Sequence, residues 1–97
     1  MKTLIYKLTS GEEVIATVVR RESEFDIVRD TAQVVMRKTD DGFGLGLAPF
    51  LPYCTGEIKL YFRSFVAEAE PNTDMYNEYS RIFGSGLVVP QPSSMVK

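Results

Sequence analysis

The sequence predicts a mainly β fold, a small and strongly bent open barrel of about five strands followed by one short C-terminal helix. Three observations predict it. The first 70 residues hold β-branched and aromatic runs, broken by turn residues about every ten positions. After Pro71 the apolar residues change to helical spacing. The 97 residues suffice for one domain with a modest core, a size at which self-association is a common source of further buried surface.

Thr3 to Leu8 is a short β-prone run, and Thr9-Ser10-Gly11-Glu12 supplies turn chemistry. Glu13 to Arg20 follows as a strand with Val14, Ala16 and Val18 on one face and Ile15, Thr17 and Val19 on the other. Two apolar faces imply burial on both sides, or strong bending around a core. Phe25 to Val28 restores a strand signal, Arg29-Asp30-Thr31 breaks it, and Ala32 to Arg37 reads as another strand. Asp41-Gly42 is a strong hairpin turn. Gly44 and Gly46 leave one face of the next strand bare, as expected of a sharp bend. Pro49 and Pro52 interrupt pairing, so Phe50-Leu51-Pro52-Tyr53 is a packed loop or a contact surface. Glu57 to Phe62 and Phe65 to Glu70 complete the β region.

Residues 1–70 are therefore expected to form the barrel, 71–90 a helix and apolar extension, and 91–97 a tail. Asn72 or Thr73 can cap the helix, and Gly84 can end it. Met75, Tyr76, Tyr79, Ile82 and Phe83 form its apolar stripe. About eleven residues make too short a helix to stand alone in water, so this stripe must dock on its own barrel or on a neighbour. Leu87-Val88-Val89 is a short apolar triplet suited to a strand edge.

Composition narrows the chemistry. No apolar run is long enough to cross a bilayer as a helix, and Met1 leads directly into a strand pattern, so a cytoplasmic location is expected. Cys54 is the single cysteine and there is no histidine, which removes Cys-His and Ser-His nucleophile pairs and histidine-ligated metals. No cofactor motif is present, and no enzyme activity is expected. Carboxylate chemistry at Glu12-Glu13 or Asp40-Asp41 is disfavoured because adjacent turn carboxylates point apart into water. The net charge is −2, against the basic balance of dedicated nucleic-acid binders. Basic residues nevertheless gather early: residues 1–38 hold seven basic and six acidic side chains, and Arg20-Arg21 and Arg37-Lys38 are the basic doublets.

Leu8, Gly11, Val14, Ala16, Val18, Phe25, Asp26, Asp30 and Ala32 together resemble the first signature of the Sm-like family, which contains the Sm, LSm and Hfq proteins. Tyr61-Phe62-Arg63-Ser64-Phe65-Val66 stands where the second signature has a strand, a basic turn and a last strand. Over nearly its whole length the chain resembles the Sm-like proteins of tailed phages, including cyanophages, most specifically in Phe83-Gly84-Ser85-Gly86-Leu87-Val88-Val89-Pro90. The resemblance implies a five-stranded open barrel that closes edge to edge into a homo-oligomeric ring of about five to seven copies. It also implies binding of single-stranded RNA, with Asp26, Arg29, Arg63 and Ser64 as the carried-over contact residues. There are departures. The helix is C-terminal, whereas the family has it N-terminal, and the asparagine that holds a uridine base in the first signature has no counterpart here. The alternative expectation is a phage structural, assembly or regulatory module that uses the ring for protein contacts without RNA.

Overall fold

A computed structural model describes residues 1–83; Gly84, the Leu87-Val88-Val89 triplet and the tail lie outside the described residues. The strands are β1 (Lys2–Leu8), β2 (Glu13–Arg21), β3 (Phe25–Thr39), β4 (Gly42–Pro49), β5 (Ile58–Tyr61) and β6 (Phe65–Ala69), followed by helix α1 (Thr73–Phe83). A 3-10 turn over Phe62–Ser64 links β5 to β6. The antiparallel sheet runs β4-β3-β2-β1-β6, with β5 also on β3.

Six strands occupy five lanes. β4 pairs with Ala32–Thr39 of β3, and β5 pairs with Phe25–Val28 of the same strand. The two are successive stretches of one lane, separated by residues 50–57; the expected interruption at Pro49 is displaced by one residue, since Pro49 still pairs with Ala32 as the last rung of β4. The break expected at Arg29-Asp30-Thr31 is a bend and not an end. β3 runs through it with Asp30 at φ 54°. Facing β2, the register slips between the pairs Ile15↔Ala32 and Thr17↔Arg29, so β3 carries one extra residue there. A bulge of this kind turns the strand sharply while the ladder continues on either side.

This bend explains why β2 is apolar on both faces. One face gives Ala16 and Val18 to an inner core with Leu4, Tyr6, Val28 and Leu60. The other gives Ile15 to a second core with Ala32, Leu47 and Tyr79. Helix α1 lies over the second face, which settles the docking left open by the sequence: the helix packs on its own barrel. Asn72 caps it, its Oδ1 accepting from the Met75 N–H at 2.8 Å. Tyr79 is buried and its hydroxyl meets Thr17 Oγ1 at 2.8 Å. Met75 packs beside it, whereas Tyr76, Ile82 and Phe83 of the same stripe stay largely exposed.

The β1–β2 turn closes through the Leu8 N–H to the Glu12 carbonyl at 2.8 Å and the Gly11 N–H to the Leu8 carbonyl at 2.9 Å. Gly11 sits at φ 107°, where a side chain would meet no neighbour but the backbone itself is strained. Gly11→Ala is therefore expected to lower stability by about 1–2 kcal/mol, read as a lower urea midpoint at unchanged slope.

Candidate functional site

Three connections meet at one rim of the barrel. The Phe62 N–H donates to the Glu24 carbonyl at 3.0 Å, tying the 3-10 turn to the β2–β3 turn. The Thr9 N–H donates to the Ser64 carbonyl at 2.9 Å, tying it to the β1–β2 turn. Beside this junction the register sets Phe25 opposite Tyr61, and their rings lie 5.2 Å apart. Lys59 sits over the Phe25 ring at 5.2 Å, and Arg63 over the Tyr61 ring at 5.0 Å. The rings are half-buried and the two cations exposed. Neither Lys59 nor Arg63 has an ion-pair partner among the described residues. Half-buried rings with free cations offer stacking faces and phosphate partners together, the two components of single-strand recognition.

The four residues carried over from the family divide between this rim and other places. Arg63 belongs to the rim. Ser64 is beside it, but its hydroxyl donates to the Tyr61 carbonyl at 2.5 Å and so serves the turn. Arg29 leaves β3 beyond the Val28–Ile58 end of the β3–β5 ladder, with Asp30 at 3.8 Å, whereas Arg63 lies beyond the Phe25–Tyr61 end. At least roughly 10 Å of strand separates them, so one protomer does not bring the two arginines together along the ladder.

Asp26 is wholly buried and offers no oxygen to solvent. Tyr6 donates its phenol proton to Oδ2 at 2.7 Å, and Arg21 donates to Oδ1 at 2.6 Å and to Oδ2 at 2.8 Å. Arg21 continues to Glu68 of β6 at 2.7 Å and stacks over Phe62 at 5.2 Å. Burial pushes the Asp26 carboxyl up, but the hydrogen bonds from Arg21 and Tyr6 and the arginine charge outweigh it and hold it below the usual range. Burial, then the bond to Asp26, pushes the Tyr6 phenol far up. Burial likewise pushes Tyr79 up to about 12.

These shifts set a pH window. The stability from Asp26 is present above about pH 4 and is lost as pH falls through its lower folded value. The tyrosines have raised folded values, so their contribution is present below about pH 10 and is lost as pH climbs beyond it. Chemical denaturation between pH 9 and 12 should therefore show stability falling from about pH 10. Tyr79→Phe should flatten that slope by one proton, and an unchanged slope would contradict the assignment.

Among the described residues the sheet path ends in two edges without a further strand partner, β4 at one end and β6 at the other. Both carry exposed apolar side chains: Phe43 and Leu45 on β4 are 74% and 61% exposed, and Val66 on β6 is 71% exposed. Among the described residues no group of three or more cysteine, aspartate or glutamate side chains is placed to hold a metal. No helix among them is long and apolar enough to cross a membrane, a statement that does not extend to strands. Glu12 is bonded to Ser10, while Glu13 faces Lys7 at 3.5 Å.

Sequence reasoning did not find Lys59 and Tyr61 as neighbours of Phe25, nor Arg21 as the partner of Asp26. The β3–β5 register joins residues far apart in sequence and leaves no local trace, whereas Arg21, half of a basic doublet, meets Asp26 only five residues on, across the β2–β3 hairpin. Comparison of the sequence with family models and with curated proteins finds no match to either.

Proposed function

We propose that the chain is a ring-forming Sm-like subunit whose assembled ring binds single-stranded RNA in the cytoplasm. The observation that carries the ring is the pair of edges, β4 and β6, that no strand among the described residues covers. An unpaired strand at each end of a bent sheet, both with exposed apolar residues, is self-complementary in a head-to-tail sense. The observation that favours RNA is the rim: Phe25 and Tyr61 supply aromatic faces and Lys59 and Arg63 supply charge, repeated once per subunit.

Light scattering on the purified chain should give a discrete multiple of the 10.9 kDa protomer. Phe43→Lys combined with Val66→Lys should shift it to the protomer mass, because like charges on facing edges repel. Labelled single-stranded RNA, U-rich and A-rich, should bind the ring at low salt. Lys59→Ala with Arg63→Ala should weaken that binding about tenfold or more. A discrete ring that binds neither RNA at high micromolar concentration would leave the second reading, a phage structural or assembly module. The net charge of −2 and the burial of Asp26 favour that reading.

A further inference from the structure

The outer face of the sheet, the one that carries α1, is uneven from edge to edge. Along β4 the pairs Val34↔Leu47, Met36↔Leu45 and Lys38↔Phe43 put these side chains on one face. Val34 and Leu47 pack in the second core with Tyr79 of α1. Beyond them Met36, Leu45 and Phe43 continue the same face as an exposed ridge of large apolar side chains. The opposite edge is the reverse. Ala69 and Ala67 of β6 pair with Ile5 and Lys7 of β1, and Ile5 packs on the second core, so the two alanines share the outer face. Both are exposed, and each projects only a methyl group. β6 therefore offers a shelf. Just past Ala69 the shelf runs into a hollow of about 290 Å³ lined by Thr3, Pro71 and Tyr76.

We infer that the ridge of one copy seats on the shelf of a second, antiparallel, with Leu45 opposite Ala67 and Phe43 opposite Ala69. The inference rests on the ring proposed above and adds the face, the register and a share for α1 in the joint. Size carries the first half of it, since the large side chains of β4 meet a strand that leaves room for them. The larger, Phe43, lies beside the hollow. Charge carries the register. Leu45 borders Asp74 at the start of α1, and Lys38 stands across from Phe43. Neither Asp74 nor Lys38 has an ion-pair partner among the described residues. On the other edge Lys7 stands across from Ala67, and Glu70 follows Ala69. Their own partners, Glu13 at 3.5 Å and Lys2 at 3.2 Å, form exposed pairs, which are weak. The antiparallel register brings Asp74 toward Lys7 and Lys38 toward Glu70. The parallel one brings Lys38 toward Lys7 and Asp74 toward Glu70, like charge against like.

Disulfide trapping reads the register. Cys54→Ser removes the chain's single thiol, and Leu45→Cys, Phe43→Cys and Ala67→Cys are each made in that background. Full-length chains are co-expressed in pairs, oxidised mildly and run on a non-reducing denaturing gel. Leu45→Cys with Ala67→Cys should form the two-chain disulfide about tenfold or more faster than Phe43→Cys with Ala67→Cys, because opposite residues meet and diagonal ones do not. The reverse order, equal rates or no bond overturns the inference, and so does a bond from Leu45→Cys alone, which would set ridge against ridge. Light scattering on the same samples separates the two readings: a discrete oligomer without the expected bond overturns this inference alone, and the protomer mass overturns the ring as well. A second measurement permutes charge on the shelf. Ala67→Asp/Ala69→Lys sets like charges against Asp74 and Lys38, and Ala67→Lys/Ala69→Asp sets opposite ones. Both alanines are exposed in the protomer, so neither variant disturbs its core. The first should associate about tenfold or more weakly than the second. Equal association, as expected if the ridge meets a different protein, overturns the inference.

Discussion

Asp26→Ala is expected to remove about 3–5 kcal/mol, a large share of the stability of a domain this size. The magnitude follows from what remains. Tyr6 is fully buried, and its hydroxyl donates to Asp26. With the carboxylate gone, that donor has no partner in an apolar core, which costs about 1–3 kcal/mol. Arg21 loses its bidentate partner and keeps only Glu68. Asp26 also stands at the join of three strands, since Tyr6 is on β1, Arg21 on β2 and Glu68 on β6. A urea titration gives the magnitude, and the double variant Asp26→Ala/Tyr6→Phe gives the reason. Removing the orphaned hydroxyl should restore about 1 kcal/mol or more. If the double variant is less stable than the single one by the full cost of Tyr6→Phe, the hydroxyl is not the source of the loss.

Tyr79→Ala is expected to cost about 3–5 kcal/mol, the range for deleting a large buried aromatic side chain. Tyr79 is the one buried residue of α1 and the helix's member of the second core. An eleven-residue helix is not stable by itself, so its helicity depends on that contact. The far-ultraviolet helical signal should therefore fall at temperatures where the β signal persists. Tyr76→Ala is the control: Tyr76 is 47% exposed and outside the core cluster, and its removal should change stability by no more than about 0.5 kcal/mol. Equal losses for the two tyrosines would mean that the helix is held by its whole stripe and not by one anchor.

The sequence was most informative where local chemistry decides the outcome. Gly11 and Gly42 mark turns because their positive φ excludes most side chains, and both turns are where the sequence puts them. The helix is legible because Asn72 precedes a period change that nothing nearby contradicts. Arg29-Asp30-Thr31 was misread for an instructive reason. Its residues do favour a break, and Asp30 does leave the extended conformation, but pairing on both sides carries β3 through. The candidate site was the least legible part. A lone carboxylate in Phe-Asp-Ile-Val looks equally suited to a ligand or to a core, and only the register that brings Tyr6 and Arg21 to Asp26 decides for the core. The pairs Lys59–Phe25 and Phe25–Tyr61 exist because β5 returns to β3, a long-range event without a local signature.

The division of one sheet lane into β4 and β5 has a consequence for how this protein can change. The register of each piece is fixed separately, by Ala32↔Pro49 on one side of the bend and Val28↔Ile58 on the other. Residues 50–57 bridge two anchored ends and contribute no rung to either ladder. Each doubling of such a bridge costs only about 0.6 kcal/mol in closure entropy. The bridge is thus a socket in the scaffold, where lineages or engineers can splice in foreign recognition sequence while the barrel around it folds as before.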